Sequence, residues 1–469
     1  MASVSRPLQR IKQDLEPFVP ADSIVAACHE AGHRWRERKL GPVRTLHLFI
    51  IQVLWCNTAM THLKWIGGVT VNAAAYCRAR QRLPLTVLQS LLRSSSQAMR
   101  QGADGGAAGL WCGRRALLVD GSSSIVPDTP DAQQAFSQPK GCKQGCGFPV
   151  PKVLGLFDAF SGMILELLCF PLYTHEQSKV AAALHPLLRC GDVLIGDRGF
   201  CSFIHMALLA ARGVDAVFRA HQRQIVDFRP GRRTRRGGER GRPSSRFIKR
   251  LGKCDQIVQW SKAKARPQWM TYQQYAELPE VLQVRELRYH IPRKGQRTLC
   301  VTIATTLLDP LLYPKEKIAE LYNVRWSVET HFRELKITLK MRKLKSKSAI
   351  GARKELAVYA LVYNLVHAVM LAAAARQGVT PDRISFIDAL RWLWTVGPNE
   401  TLAELATNPH RPGRHEPRVV KDREDTYTKM TRPRSELRKT LKTMRVAKAM
   451  AFVTRAVIAG GLKVTRNAR

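Results

Sequence analysis

The chain has 469 residues, of which 45% are hydrophobic and 24% are charged, so it is long enough for several folded domains and is not intrinsically disordered. Lys and Arg number 76 against 36 Asp and Glu, which gives a formal net charge of +40. A positive field of this size predicts a polyanionic partner, and nucleic acid is the usual one.

The apolar runs and the cysteines indicate where the protein works. We expect no apolar run to reach the length of a bilayer span, since the run RTLHLFIIQVLW is interrupted by Gln52 and is too short. The first residues, MASVSRPLQRIKQDLEPF, lack the apolar core of a signal peptide. The eleven scattered cysteines are typical of free thiols in a reducing compartment, and Cys142 and Cys146 lack a second pair at zinc-finger spacing. We therefore expect a cytoplasmic protein with no membrane contact.

The first half of the chain changes from a helical to an alternating pattern. Residues 1–108 carry amphipathic runs and are predicted to form a helical, DNA-binding N-terminal region, which ends in the linker RQGADGGAAG. Residues 109–220 contain the strand patterns ALLVD, KVLGLFDAF, GMILELLCF, DVLIGD and VDAVFRA. Helical patterns, HEQSKVAAALHPLL and FIHMALLAARG, lie between the later strands. This order predicts an α/β fold with a mixed sheet.

The second half begins with a different pattern. Residues 221–313 consist of short alternating segments without a convincing helix, which predicts an all-β insertion. Within it, residues 231–253 hold ten basic residues and one acidic residue, so we expect an exposed loop that contacts DNA. The α/β pattern resumes over 314–376. Residues 377–469 are predicted to be a helical, basic C-terminal region that could mediate dimerisation.

The strongly basic segment from Arg325 to Lys347 contains two acidic residues, Glu329 and Glu334. A negative charge there is unsuited to binding a polyanion. On a helix, Tyr322, Arg325, Glu329 and Lys336 fall within an arc of about 60°. A salt-bridged surface helix would also place Arg325 and Glu329 together, as an i, i+4 pair. The segment alone therefore does not decide between a structural and a chemical role for Glu329.

Two aspartates strengthen the chemical interpretation. Asp120 and Asp197 each follow an apolar strand, at the edge of an α/β sheet where ligands bind. Each could instead open a turn or cap a helix. Three converging carboxylates would repel one another unless cations neutralised them, and hard oxygen ligands suit Mg²⁺ or Mn²⁺. Two such ions about 3.5–4 Å apart can catalyse phosphodiester cleavage and transfer.

The order of these motifs resembles that of the DDE transposases. The spacing Tyr322-x2-Arg325-x3-Glu329-x6-Lys336 matches the signature of the IS-four family of bacterial insertion-sequence transposases. The segments DGSSSIVPDTPDAQQAF and GDRGF are similar to that family's first and second Asp motifs. The resemblance covers about residues 24–375. It implies a ribonuclease-H-like mixed-sheet catalytic core, interrupted by the β-rich insertion and flanked by helical N- and C-terminal domains.

The resemblance also implies an activity and a set of partners. Such an enzyme cleaves the ends of its element and joins the free 3′-hydroxyl to target DNA, without a covalent protein–DNA intermediate. Its partners would be double-stranded DNA (the terminal inverted repeats and the target) and a second copy of the chain on that DNA. Its location would be the bacterial cytoplasm, associated with the nucleoid.

The roles of individual residues follow from the same resemblance. Asp120, Asp197 and Glu329 would be the catalytic residues and would hold two Mg²⁺ or Mn²⁺ ions per active site. The residues expected to bind DNA phosphates are Tyr322, Arg325, Lys336 and Arg198. Trp260 or Trp269 of the insertion could stack on a flipped base.

Three other functions are compatible with parts of the sequence. A catalytically inactive DNA-binding derivative or inhibitor would be expected to lack an acidic residue or a terminus, and a stand-alone nuclease would cut without joining. The motif HEAGH, from His29 to His33, fits the zinc-protease pattern H-E-x-x-H, but it lies in a strongly basic segment and no clear third ligand follows. We therefore interpret this segment as part of the DNA-binding region, with Arg34, Arg36, Arg38 and Lys39 as phosphate contacts.

Overall fold

The structure is a computed structural model whose main described part is residues 18–408. Within that range it leaves out residues 37, 67–71, 103–108, 144, 175–182, 230, 235–240, 292–298, 396–401 and 403. It also describes residues 429–430, 433, 436 and 462–463. The predicted helical and dimerisation roles of residues 409–428 and 437–461 lie outside the described residues.

A nine-stranded sheet crosses the described part of the molecule. Its strands are β1 (Ala116–Ser123), β2 (Lys152–Asp158), β3 (Ile164–Phe170), β4 (Val193–Gly196), β5 (Asp215–Arg219), β6 (Arg246–Gly252), β7 (Asp255–Ser261), β8 (Val281–Ile291) and β9 (Leu299–Thr305). Their order is β3-β2-β1-β4-β5-β9-β8-β7-β6. A separate pair joins β10 (Lys429–Met430) to β11 (Leu462–Lys463).

The α-helices of the described residues fall into two groups along the chain, before and after β4. Those before β4 are α1 (Ala21–Glu30), α2 (Pro42–Leu54), α3 (Leu63–Ile66), α4 (Ala73–Arg82), α5 (Leu85–Gly102) and α6 (Pro130–Phe136). Those after β4 are α7 (Phe203–Ala210), α8 (Tyr272–Ala276), α9 (Lys315–Val324), α10 (Ser327–Arg333), α11 (Ala349–Gln377) and α12 (Phe386–Thr395). The architecture is a mixed α/β fold, as the sequence pattern predicts.

The first five strands form the half of the sheet that positions the predicted aspartates. β1 pairs with β2 in antiparallel and with β4 in parallel orientation, and β4 pairs in parallel with β5. Alternate residues of β1 enter different core clusters: Leu118 packs on one face of the sheet, and Leu117 and Val119 pack on the other. Both faces are therefore covered, which explains the continuous apolar runs in the sequence.

The segment predicted as an all-β insertion continues this same sheet. β9 pairs with β5 in antiparallel orientation, and β8, β7 and β6 follow in turn. The segment also contains α8, a five-residue helix that starts with a capping box at Thr271. Residues 246–252 of the expected basic loop form β6, the edge strand. Exposed Lys and Arg side chains are a common protection of such an edge, so the basic composition does not by itself indicate a loop.

A second expectation is revised between β3 and β4. The helix predicted from HEQSKVAAALHPLL falls partly on residues 175–182, outside the described residues. The following residues form only a short 3-10 turn, His185–Leu187, which contains Pro186. Proline supplies no backbone N–H, which limits how far a helix can extend there.

The helix α11 is the central element of the largest core cluster. It is 29 residues long with a mean hydropathy of 1.9 in its most apolar stretch, so by length and composition it could cross a bilayer, contrary to our expectation that no run is long enough. However, 78% of that stretch is buried within the protein. Two charged side chains near its start have specific partners, because Lys354 donates to the carbonyl of Gln81 and Glu355 accepts from the amide of Lys345. These features are those of a core helix.

The N-terminal helices pack on this same core. Arg93 of α5 contacts the buried carboxylate of Glu166 on β3 at 2.6 Å. The side chain of Asn57, just after α2, donates to Glu355 of α11. At the other end of the chain, Trp394 of α12 donates to the carbonyl of Leu54. Residues far apart in sequence thus share one cluster, which runs from Phe18 to Leu405.

Two stacked histidines lie in the smaller core cluster beneath β4 and β5. The rings of His185 and His205 are 5.1 Å apart with an interplanar angle of 4°, and His205 also stacks on Phe218. Burial lowers the pKa of His185 to about 3 and that of His205 to about 4. Both rings are therefore neutral in the folded protein at neutral pH.

This pair predicts an acid-sensitive fold. The unfolded chain binds protons at these histidines near pH 6.5 and the folded chain does not, so the free energy of unfolding falls as pH drops below about 6.5. For His205 alone the loss between pH 6.5 and 5.0 should be about 2 kcal/mol. Denaturant titrations of wild type and His205→Phe at several pH values should show a shallower pH slope in the variant. Phe200→Leu, a neighbouring core change, should keep the wild-type slope, and parallel curves for wild type and His205→Phe would contradict the prediction.

Candidate active site

The register of β1 and β4 brings the two predicted aspartates to neighbouring positions. The parallel pairing ends with Val119 opposite Gly196, so the next residues along the two strands are Asp120 and Asp197. Asp197 follows the last residue of β4 directly, as predicted. Asp120 does not end its strand, because β1 continues to Ser123 through antiparallel pairing with β2. The apolar pattern that predicts this strand ends at Asp120, because the residues that follow are small and polar.

A glycine on β2 lets a helix approach the sheet beside Asp120. Gly155 pairs with Asp120 in the sheet. A Cβ at Gly155 would lie 2.4 Å from the ring of Phe157 and 3.2 Å from that of Phe332. Since Phe332 belongs to α10, the absence of a side chain at Gly155 permits close packing of this helix against the sheet. Glu329 lies in the first turn of α10, on the same short helix.

The sequence periodicity predicts one continuous helix for the segment from Tyr322 to Lys336. The structure instead divides this segment. α9 ends at Val324, α10 begins at Ser327, and a π-turn covers Glu334–Thr338. Such a turn, which closes i to i+5 hydrogen bonds, is frequent at functional sites. Regular periodicity cannot predict these breaks, because the residues at 325, 326 and 334 keep right-handed helical backbone angles.

Arg325 connects two of the predicted carboxylates. Its guanidinium nitrogens lie 3.9 Å from an oxygen of Asp120 and 3.5 Å from an oxygen of Glu329. The side chain of Arg325 is buried, that of Asp120 is 23% exposed, and that of Glu329 is 64% exposed. A cation between two acidic groups reduces their repulsion, and the exposed Glu329 remains accessible to a ligand.

Asp197 and Tyr322 form the other side of the site. Oδ1 of Asp197 is buried and has no hydrogen-bond partner among the described residues. Burial raises the pKa of Tyr322 well above its usual value, and the negative charge of Asp197 acts in the same direction, while the cations Arg325 and Arg219 act against it. The phenol of Tyr322 therefore stays protonated at neutral pH, next to an aspartate and two cations.

Lys336 and Arg198 lie near opposite ends of this arrangement. The ammonium of Lys336 donates to the hydroxyl of Ser122 on β1 at 3.1 Å. Arg198, beside Asp197, donates to the side chain of Gln222 at 3.2 Å and is partly exposed. The structure thus joins Lys336 to the strand of Asp120 and leaves Arg198 at the side of Asp197.

Three further residues belong to this region and were not identified from the sequence. Ser122 contacts Lys336, and Arg219 and Tyr289 act electrostatically with Tyr322. Arg219 ends β5, which is parallel to β4, so the argument from strand ends that identified Asp197 also applies to it. Tyr289 lies on β8. This strand comes near the site only because the sheet continues beyond β5, and no local sequence pattern predicts that.

The three carboxylates are not in mutual contact. Among the described residues, the only group of three or more His, Cys, Asp or Glu side chains with all ligand atoms within 4.8 Å of one another lies elsewhere. A pair of ions 3.5–4 Å apart accepts a wider spread of carboxylates than a single ion does, since the outer ligands bind different ions.

The basic segment of the insertion contributes a separate positive surface. A cavity of about 330 Å³ has four arginines among its eight lining residues, namely Arg229, Arg232, Arg233 and Arg242. Arg229 pairs with Asp227 at 2.8 Å, and Arg232 donates to the backbone and hydroxyl of Ser245. The predicted contact of residues 231–253 with DNA remains a prediction, and residues 235–240 lie outside the described part of the chain.

The two tryptophans named as base-stacking candidates differ in exposure. Trp260 is only 7% exposed and its indole N–H donates to the buried Glu286, so it is not available to a base without rearrangement. Trp269 is half-buried beside α7 and α8, where it packs against a small core cluster.

The HEAGH motif is divided by the end of α1 at Glu30, and Gly32 has a positive φ of 66°. His29 and His33 therefore do not share the helix face that a zinc-protease site requires.

Comparison with known proteins gives concordant results. The family model described as "Transposase DDE domain" matches residues 111–365. The transposase InsG for insertion sequence element IS4 of Escherichia coli (strain K12) is 26% identical over 376 residues, which cover 76% of this chain and 78% of that protein. A solved piggyBac transposase synaptic complex with hairpin DNA is 10% identical with a TM-score of 0.39, over 84% of this chain and 81% of that one. Because the family model matches more than half of the sequence, this chain belongs to the DDE transposase family and is similar to the IS4 transposase.

Proposed function

We propose that this chain is an active transposase that hydrolyses phosphodiester bonds at the ends of its element and joins the freed 3′-hydroxyl to target DNA. The observation that carries the proposal is the placement of Asp120 beside Asp197 on adjacent strands, with Arg325 between Asp120 and Glu329. The two aspartates follow paired positions on these parallel strands. Membership in the family and the formal charge of +40 support DNA as the substrate.

We further propose that strands β1–β5 form a ribonuclease-H-like core and that residues 221–313 are the family's insertion. The order β3-β2-β1-β4-β5, with β2 antiparallel to β1 and β4 and β5 parallel to it, supports this assignment. The helix α10 would then be the later helix of that core that supplies the third carboxylate. The domain limits 1–108, 109–220, 221–313, 314–376 and 377–469 are part of the same proposal.

The donor set fits divalent metal ions. Asp120, Asp197 and Glu329 offer hard oxygen ligands, and the buried Oδ1 of Asp197 has no hydrogen-bond partner among the described residues. A buried carboxylate oxygen without a partner is costly, and a cation would satisfy it. These three residues would hold two Mg²⁺ or Mn²⁺ ions. When bound, such ions lower the pKa of water or of a 3′-hydroxyl and neutralise charge on the leaving oxygen.

The neighbouring side chains have the chemistry to bind the DNA backbone. Tyr322 is only 1% exposed, so its protonated phenol would donate to a phosphate oxygen after a local rearrangement, and the same protonation disfavours a covalent tyrosyl–DNA intermediate. Arg325 and Lys336 supply positive charge beside Asp120 and Glu329, and Arg198 does so beside Asp197. Phosphates on either side of the cleaved bond would then be fixed by cations, while the carboxylates hold the metal.

Two element ends must be held together for transposition, so we propose a homodimer assembled on DNA in the bacterial cytoplasm at the nucleoid. The alternative, a catalytically inactive DNA-binding derivative or inhibitor, is disfavoured because both aspartates, the glutamate and their cationic neighbours are all present. A stand-alone nuclease would cleave the same ends and fail to join them.

The first test changes the exposed carboxylate. Glu329→Gln should reduce Mg²⁺-dependent cleavage of DNA carrying the element's own ends on the order of 10³-fold, since a lost metal ligand removes several kcal/mol of transition-state stabilisation. Binding of the same DNA without metal should be retained. Glu320→Gln, an equal charge change at an exposed position of α9, is the control and should cleave at the wild-type rate. Equal rates for Glu329→Gln and wild type would remove Glu329 from the active site, and wild-type protein that binds but never cleaves would favour the inactive derivative.

The second test separates stability from catalysis at Tyr322. Its hydroxyl is buried and makes no hydrogen bond of normal geometry among the described residues, so Tyr322→Phe should leave the free energy of unfolding unchanged or raise it by up to about 1 kcal/mol. Cleavage should nevertheless fall, because the donor to the phosphate is lost. Tyr359→Phe removes an equally buried hydroxyl on α11 and should leave cleavage unchanged. A Tyr322→Phe enzyme with full activity would contradict the assigned role.

The third test concerns Lys336. If this ammonium neutralises one phosphate, Lys336→Met should reduce the slope of log affinity against log salt concentration by about 0.9. Fluorescence anisotropy with labelled element-end DNA at several salt concentrations would measure the slope. Lys317→Met, at an exposed position of α9, should leave it unchanged. An unaltered slope in Lys336→Met would show that Lys336 does not neutralise a phosphate.

A further inference from the structure

A second cluster of potential metal ligands lies on the buried side of the helix that carries Glu329. It consists of His331 on α10, Glu334 at the start of the π-turn and His367 on α11. One ligand atom from each of these residues lies within 4.8 Å of the others. His331 is 9% and His367 4% exposed, and the side chain of Glu334 is 15% exposed. Glu329, by contrast, points outward, so the two groups of ligands are distinct.

The ring of His367 is oriented as a metal ligand would be. Its Nδ1 donates to the carbonyl of Ser161 at 3.2 Å, so Nε2 is the nitrogen that is left to face Glu334. That Nε2 is buried without a hydrogen-bond partner among the described residues and lies 3.8 Å from Oε2 of Glu334. Two acceptors facing each other in a buried site repel unless a proton or a cation lies between them. A backbone carbonyl that fixes the other ring nitrogen is the usual support of a metal-binding histidine.

The ring of His331 faces the same carboxylate with its other nitrogen, since Nδ1 lies 3.9 Å from Oε2 of Glu334. Its Nδ1 lies 2.8 Å from the hydroxyl of Tyr363, and that hydroxyl lies 3.2 Å from Oε2 of Glu334. Tyr363 can donate to Glu334, and its oxygen accepts from Nδ1 when that nitrogen carries the proton. In the other tautomer Nδ1 is an acceptor that faces Glu334, and Nε2 of His331 is buried without a hydrogen-bond partner among the described residues.

A tight turn makes room for both rings. Gly162 has a φ of 70°, and a Cβ there would lie 2.8 Å from Cε1 of His367 and 3.0 Å from Cε1 of His331. The turn is fixed by Asp158, whose Oδ1 accepts from the backbone and the hydroxyl of Ser161. The loop between β2 and β3 is therefore shaped so that the two imidazoles can converge above it.

We propose that His331, Glu334 and His367 form a structural Zn²⁺ site that fastens α10 to α11. Two imidazoles and one carboxylate are a ligand set typical of zinc, and unlike the three carboxylates of the active site they do not favour Mg²⁺. Ligand atoms of a tetrahedral zinc ion lie about 3.3 Å apart, so the observed 3.8 Å closes with a small side-chain adjustment. The fourth position is left to water. The metal would fix the position of Glu329, which is two residues before His331.

The test measures metal and stability, and does not depend on transposition. Full-length wild-type protein purified without chelator should contain about one zinc per chain, and zinc added to chelator-treated protein should raise its melting temperature. His367→Gln should lose both effects. Tyr363→Phe, which keeps all three ligands, should retain the metal, and so should Glu329→Gln, which alters only the active site. If Glu329→Gln lost the zinc instead, the metal would belong to the active site and the proposal would be wrong.

Cobalt substitution of the wild-type protein provides a measurement that does not depend on any variant folding. Co²⁺ in a tetrahedral site with nitrogen ligands gives a strong visible absorption, whereas six oxygen ligands give a weak one. The strong absorption should appear in wild-type protein and be displaced by zinc. Zinc-free wild-type protein with no thermal response and no cobalt band would overturn the proposal, and would leave a proton shared within the cluster as its explanation.

Discussion

Repulsion between acidic groups is the constraint on which the candidate site of this protein depends. The sheet register brings Asp120 and Asp197 to adjacent strand positions, and α10 adds Glu329 to the same region. Arg325 lies within 4 Å of two of these carboxylates and is almost fully buried, so its charge acts with little screening from solvent. Tyr322, Lys336 and Arg219 complete a surrounding shell of hydrogen-bond donors and positive charge. A site that gathers negative side chains inside a strongly positive protein is suited to metal ions and phosphates together.

The interior resolves a related problem with buried polar groups. α11 is apolar enough to cross a bilayer, yet Lys354, Glu355, Asn364 and His367 are buried along it. Most of these side chains have well-defined partners: Asn364, for example, exchanges two hydrogen bonds with the backbone of Ile164 on β3. Such contacts tie the helix in one register to the N-terminal helices and to the sheet. Nε2 of His331 and Nε2 of His367 are exceptions, because they lack such partners among the described residues.

Much of the fold and part of the candidate site could be predicted from the sequence. Runs of Val, Ile and Leu identify β1 to β5 because both faces of these strands are buried, and Asp197 follows its strand as expected. The extent of β1 beyond Asp120 could not be predicted, since Gly121 to Ser123 are held by pairing with β2 and not by their own hydrophobicity. At Arg325 and at Glu334 the helix changes its hydrogen bonding but keeps right-handed helical backbone angles. The periodicity of the residues therefore does not reveal these breaks. The positions of Tyr289 and Ser122 depend on contacts between segments far apart in the chain, which no local pattern encodes.

The continuous nine-stranded sheet has a consequence for how this enzyme can be shortened or recombined. Because β9 hydrogen-bonds to β5 over Val217–Arg219, the segment between them is joined by main-chain bonds to the strands that carry the candidate site. Removing that segment would expose the edge of β5, with unpaired amides and carbonyls next to Asp197's own strand. A minimal catalytic fragment would therefore be prone to self-association through that edge. Residues 221–313 are therefore better regarded as a continuation of the nine-stranded sheet than as a detachable module.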